Sequence, residues 1–210
     1  DIDGCHRTFK VDSLVHIVRS NPTTSLVYVD SAATGSNDGS SWANAYTDLQ
    51  DALDARMACT VVDTILIAEG TYYPTESPDE TTTNARDRAF HLADSNVVIL
   101  GGYDASTGIP IGRSSILSGD IGTLGSKSDN CYHVFITKGL NSTTLFKNLT
   151  ITKGYANASV QLIPYEGLNY LKSFGGGFYN YLSSPKFENI AFIDCFSRDA
   201  GGALYNKSSS

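Results

Sequence analysis

Asp104, Asp120 and Asp129 are the residues through which this chain could do chemistry, with Arg86, Arg88 and Arg113 close by in sequence. Carboxylates brought onto one face could bind Ca²⁺, or act as acid and base at the separations glycoside hydrolysis uses. The same residues have a plainer use. Asp104 follows a Gly-Gly turn and Asp120 follows Ser-Gly, and aspartate after glycine is ordinary turn chemistry. No Asp-Asp pair and no Asn-x-Asp cluster strengthens the catalytic reading. Asn37-Asp38-Gly39 lacks the alternating acidic ligands and final Glu of a calcium loop, so it reads as a turn. His6, His16, His91 and His133 show no ligand spacing, and no serine-nucleophile elbow, phosphate loop or dinucleotide fingerprint is present. Tyr72, Tyr73, Tyr155, Tyr165, Tyr170, Tyr179 and Tyr181 form a second set of candidates. Facing outward they would stack on sugar rings or anchor a partner; facing inward they would pack between strands.

What would hold such residues is written in the spacing of the chain. GGGFYN at 175–180 returns as GGALYN at 201–206, which puts Gly175, Tyr179 and Asn180 26 positions before Gly201, Tyr205 and Asn206. A second echo aligns Phe146, Asn148 and Ile151 with Phe187, Asn189 and Phe192 at an offset of 41. The surplus fits an insertion near 158–173, an aromatic stretch without repeat. A fixed period in this range is the mark of a solenoid. Apolar residues near period two and the absence of a helical stripe in the repeat make it a β-solenoid. Asn148 with Asn189, and Asn180 with Asn206, are then expected to stack as side-chain amide ladders, with Gly-Gly at a corner.

Strands are expected at 26–30, 89–92, 96–100, 115–118, 133–137, 144–152, 177–181, 186–193 and 203–206, with another in 63–74. Gly101-Gly102, Gly119, Gly139 and Gly154 read as breaks between them. Thr47-Asp-Leu-Gln50 has capping-box form, and Leu49, Ala52, Leu53 and Met57 follow helical spacing. One amphipathic helix near 48–58 is expected to lie over the first coil. Residues 1–25 do not match the repeat and read as an extension that packs on the body or donates a strand to a neighbour. Residues 26–210 form one body.

Bulk composition narrows the partners. Acidic residues number 22 against 15 basic ones, a formal net charge of −7, which disfavours nucleic acid. No apolar run approaches the roughly 18–20 residues of a membrane span. Four widely spaced cysteines contain no C-x-x-C, so no zinc site is expected. Three pairings are open, and Cys5 with Cys59 is favoured because both lie outside the repeat. Sequons at Asn141, Asn157 and Asn206 are glycosylation candidates; the one at Asn148 competes with its place in the ladder. The chain starts at Asp1, read as a processed or truncated end, and stops early in a new coil. The end fits a fragment of a longer protein, or an edge covered head-to-tail by a second copy.

YVDSAATGSNDGSSWANAYTDLQDAL, DTILIAEGTYYPT, VVILGGYD, ILSGDIG and the GGGFYN unit occur in this order. In that order they resemble secreted bacterial right-handed parallel β-helix proteins of the pectin-lyase-like superfamily. Gly201–Leu204, preceded by Phe192-Ile-Asp-Cys195, is also similar to the GGAI and FxxN repeats of chlamydial polymorphic outer-membrane proteins, with Cys195 where that pattern has Asn. The resemblance runs from about Leu26 onward. It implies an all-β right-handed parallel β-helix that is secreted or exposed on a cell surface. The expected function is non-catalytic, structural or adhesive, with a second copy or matrix glycans and proteins as partners and no cofactor. The alternatives are a carbohydrate-active enzyme, a polysaccharide lyase or hydrolase with Ca²⁺, and a glycan-binding module.

Overall fold

The computed structural model describes residues 25–159 and 161–207. Residues 1–24, which hold Cys5, His6, His16 and nearly all of the expected extension, lie outside the described residues. Apolar side chains at alternate positions shape the strands: Val27 and Val29, then Ile65 and Ile67, point to one side and are buried, while their neighbours face outward. The chain is mostly strand, and its longest set of strands forms a curled parallel sheet.

Leu26–Val29, Thr64–Ala68, Val98–Asp104, Leu145–Thr152 and Lys186–Ile193 pair side by side in that order, every pair parallel. The curl arises within single strands. The first half of Leu145–Thr152 pairs with Val98–Asp104, and its second half pairs with Ser115–Ser118, which continues to Gly70–Tyr72. Between the halves sits Asn148 at φ 57°. A further parallel sheet orders Phe90–Leu92, Phe135–Lys138, Phe178–Tyr181 and Leu204–Lys207.

This register stacks like on like. Val27, Ile65, Ile99, Phe146 and Phe187 form one inward column, and Phe90, Phe135, Phe178 and Leu204 another. Phe135 and Phe178 are parallel at 4.7 Å, as are Phe146 and Phe187 at 5.5 Å. The two columns interlock edge-to-face, Phe146 against Phe178 at 5.2 Å and 80°, the arrangement ring quadrupoles favour.

The helix spans Leu49–Ala58. Its cap is Asp48, not Thr47: the Asp48 carboxylate accepts from Gln50 N at 2.9 Å, while Thr47 is drawn off to the Asn37 side chain. Leu49, Ala52 and Leu53 are buried together with Gln50, whereas Met57 is only partly buried and the last buried position is Arg56. Its guanidinium donates to the carbonyls of Thr60, Val62 and Ser95 and pairs with Asp94 at 3.2 Å, so its charge is paired inside although Nε has no partner.

Gln50 closes a sheet edge. Its Oε1 accepts from His91 N at 3.0 Å and its Nε2 donates to His91 O at 3.2 Å. A side-chain amide thus replaces the missing strand beside Phe90–Leu92.

Two excursions interrupt the stacking. Val98–Asp104 does not end at Gly101-Gly102 as expected; it runs through them into an antiparallel arm with Ile109–Pro110. Gly102, at φ 79°, lies so close to the Gly112 carbonyl that a Cβ would collide with it. The insertion near 158–173 contains a hairpin, Leu162–Tyr165 with Leu168–Leu171. Its turn residues Glu166 and Gly167 have φ 50° and 77°, the type I′ signature. Ile163, Tyr165 and Tyr170 cover the outer faces of Ile136 and Tyr179, a second small core outside the sheet. A buried ion pair, Lys172 Nζ to Asp87 at 2.7 Å, holds the hairpin's base. No helix among the described residues is long and apolar enough to cross a membrane.

Gln50→Ala is expected to destabilise the fold by about 2–3 kcal/mol, because two buried main-chain groups lose their partner. Denaturant unfolding and His91 amide exchange check this; unchanged stability with a protected amide would sink the assignment.

Candidate functional site

The second half of Leu145–Thr152 ends at Lys153, φ 61°, and the equivalent turn after Lys186–Ile193 is at Asp194, φ 52°. Both are corner residues in the left-handed region, and both project from the body. Two residues on, Tyr155 pairs in register with Phe196, their rings 4.9 Å apart and tilted by 34°. Loop 119–130 folds against this corner. Asp120, with a side chain 1 % exposed, accepts from Gly125 N at 3.0 Å and pairs with Lys153 Nζ at 2.6 Å. That hydrogen bond holds the Lys153 ammonium above its ordinary pKa. Asn130 donates to Lys153 O at 2.7 Å, while its buried Oδ1 has no hydrogen-bond partner. Together with Lys127 these residues enclose a cleft of about 290 Å³.

Behind the cleft, Arg86 is a clamp. It donates to Asn130 O at 2.7 Å, Tyr155 O at 2.8 Å and Asn157 Oδ1 at 2.7 Å, and lies 4.0 Å over the Tyr132 ring. Every one of its contacts ties segments together.

The three aspartates are not gathered into one group. Asp104 accepts from Ser106 N and Oγ at 2.8 and 2.7 Å, and Ser106 keeps its pKa low. Asp129 accepts from Thr123 N at 2.7 Å, which lowers its pKa in turn. Among the described residues no set of three His, Cys, Asp or Glu side chains is arranged to hold a metal ion. Arg113 donates to Asn189 Oδ1 at 2.8 Å, and Arg88 is exposed. Asp38 sits in a turn, accepting from Ser36 Oγ and Ser40 N.

The asparagines expected to stack lie within hydrogen-bond distance. Asn189 Nδ2 donates to Asn148 Oδ1 at 2.7 Å, and Asn180 Nδ2 donates to Asn206 Oδ1 at 2.9 Å. Thr137 Oγ1 extends the second chain by donating to Asn180 Oδ1 at 2.7 Å. Of the sequon residues, Asn141, Asn157 and Asn206 are exposed; Asn141 accepts from Thr143 N and Asn157 from Arg86.

Cys59 is disulfide-bonded, and Cys131 and Cys195 are free thiols whose pKa values burial pushes up. Cys5 lies outside the described residues. Of the tyrosines, Tyr72, Tyr165, Tyr170 and Tyr179 are buried, while Tyr73, Tyr155 and Tyr181 keep exposed surface. His91 bonds Ala89 O through Nδ1. His133 is fully buried, bonded through Nδ1 to Gly175 O at 3.0 Å, with Nε2 unpartnered. Burial lowers its pKa from 6.5 to about 4.

The cleft's polar wall escaped sequence reading, apart from Asp120, although a signal existed. Lys153 and Tyr155 stand 41 positions before Asp194 and Phe196, the same offset that aligns Asn148 with Asn189.

No family model matches the chain, and no curated protein and no solved structure was found to match it.

The corner residues and His133 yield two expectations. Asn148→Ala should cost about 1–2 kcal/mol, since alanine resists the left-handed region. Asn148→Gly should cost less although it loses the same amide bond; equal losses in chemical denaturation would remove the backbone contribution. For His133 the unfolded chain binds the proton more tightly than the folded one. Stability is therefore full above about pH 6.5 and falls as pH drops toward 4. At about 1.4 kcal/mol per pH unit the loss is on the order of 3 kcal/mol. Denaturation midpoints across this range should flatten in His133→Asn; an unchanged slope would exclude His133 as the source.

Proposed function

We propose that the protein is a right-handed parallel β-helix of the pectin-lyase-like type. It is secreted or exposed on a cell surface, where it serves as a non-catalytic structural or adhesive module. The observation that carries this reading is the return of the chain to the same columns. Asn189 sits on Asn148, Asn206 on Asn180, Phe178 on Phe135 and Phe187 on Phe146. Beyond the helix that links Leu26–Val29 to Thr64–Ala68, parallel strands joined without crossover helices and stacked through at least four layers have the form of a solenoid whose own function is to present a long, stiff side.

The side chains that would make it an enzyme are engaged elsewhere. Asp104 and Asp129 serve their own turns, Asp120 is held by Gly125 N and Lys153, and Arg86 and Arg113 bridge segments. A general acid and base must reach a substrate within hydrogen-bonding distance; Asp120 is buried, and the half-exposed Asp104 and Asp129 are committed to their own turns. The partners of such a module are a second copy stacked end to end, or glycans and proteins of the surrounding matrix. Strand Lys186–Ile193 bears on the first of these: Phe187, Ile190 and Phe192 along it are only partly buried, and among the described residues it has a sheet neighbour on one side.

Incubation with pectate, polygalacturonate and related polyanions, with and without millimolar Ca²⁺, is expected to release no unsaturated or reducing ends. Cleavage abolished by Asp104→Ala or Asp120→Ala would replace this reading with that of a polysaccharide lyase or hydrolase.

A further inference from the structure

The cleft at the Lys153 corner is built from three segments far apart in sequence: loop 119–130, the turn at 153–155 and the turn at 194–196. We propose that it binds one pyranose unit of a neutral extracellular glycan. The proposal rests on the adhesive reading for its setting and names what that surface holds.

Phe196 is 44 % exposed, and with Tyr155 it forms a tilted pair of rings at the cleft's edge. An aromatic face is electron-rich and attracts the weakly positive C–H groups that cover one side of a pyranose ring. Around the rings stand groups that match hydroxyls. A hydroxyl both donates and accepts, so it fits between an ammonium and a carboxylate. The Lys153 ammonium, 37 % exposed, can donate to it and the exposed Asp194 carboxylate can accept from it, while the buried Asp120 holds Lys153 in place from beneath. Asn130, 3 % exposed, backs the wall, and its side-chain oxygen, buried and without a protein partner, is a polar atom that a small shift of the loop would open to the cleft.

The charges decide the ligand class. Lys127 and Lys153 balance Asp120 and Asp194, so the cleft has no net charge with which to select a polyanion or a phosphate. Its volume, about 290 Å³, suits one or two sugar rings rather than a long stretch of chain. Lys153 and Asp194 both occupy left-handed φ at stacked corners, which aims both side chains out of the sheet, and both line the cleft.

Isothermal titration of the whole protein with cellotetraose, mannotetraose and galactotetraose, and with tetragalacturonate as the anionic comparison, tests the site. At least one neutral tetrasaccharide is expected to bind. Phe196→Ala and Lys153→Gly should each weaken it tenfold or more, whereas Ile109→Ser, on the distant arm, should leave it unchanged. Lys153→Gly relieves backbone strain but leaves the buried Asp120 carboxylate without its cation, so its fold is checked by circular dichroism at the titration temperature, and Phe196→Ala, which leaves that pair intact, carries the test if Lys153→Gly is unfolded. The site is overturned if the folded parent binds none of the neutral sugars, if tetragalacturonate binds best, or if both variants bind as the parent does. Adhesion to a polysaccharide-coated surface that survives Phe196→Ala would likewise overturn the site while leaving the adhesive module standing.

Discussion

Parallel strands in register place equivalent residues about 4.8 Å apart along the sheet, so every position must tolerate a near copy of itself as its neighbour. That requirement governs the interior, the corners and the surface alike. Inside, it is met by rings that stack flat within a column and meet edge-on between columns, as Phe135, Phe178, Phe146 and Phe187 do. It is met by asparagine at the corner, where Asn189 bonds Asn148, and within the second sheet, where Asn180 bonds Asn206, because the amide both donates and accepts and so bonds its own kind. On the outer face, where like charges would repel, signs alternate: Lys147 lies beside Glu188, with Nζ 2.8 Å from the carboxylate.

The same rule explains what the sheet cannot do for itself. Outward positions of the sheet containing Phe135–Lys138 carry Ile136 and Tyr179, too apolar for solvent. The hairpin Leu162–Leu171 covers them, and the buried Lys172–Asp87 pair fixes its base. Opening that pair by removing one partner would strand a charge in the interior. The hairpin is therefore a structural part of the body and also lengthens the step between repeats.

Much of this was legible in the sequence. The 26- and 41-residue offsets assigned partners to four asparagines before any coordinates, because in-register stacking turns sequence period into spatial contact. The strands near 26–30, 115–118 and 186–193 were readable from their alternation. The helix was readable too, though its cap moved by one residue because Thr47 is claimed by Asn37. Less legible were features with no repeat to announce them. The hairpin hid in an aromatic run whose only turn signal is Glu166-Gly167. Gly101-Gly102 read as a break because glycine usually marks one, whereas here it lets an arm cross the strand closely. The Lys153 cleft depends on a loop, 119–130, that carries no periodicity, so its floor could be inferred from the offset but its wall could not.

Gln50 has one more effect. By occupying both the donor and the acceptor of His91, it finishes this margin of the sheet with a side chain rather than with a further strand. An incoming β-segment finds the main-chain pair of His91 already taken, so pairing is blocked there without a proline, a bulge or a charge.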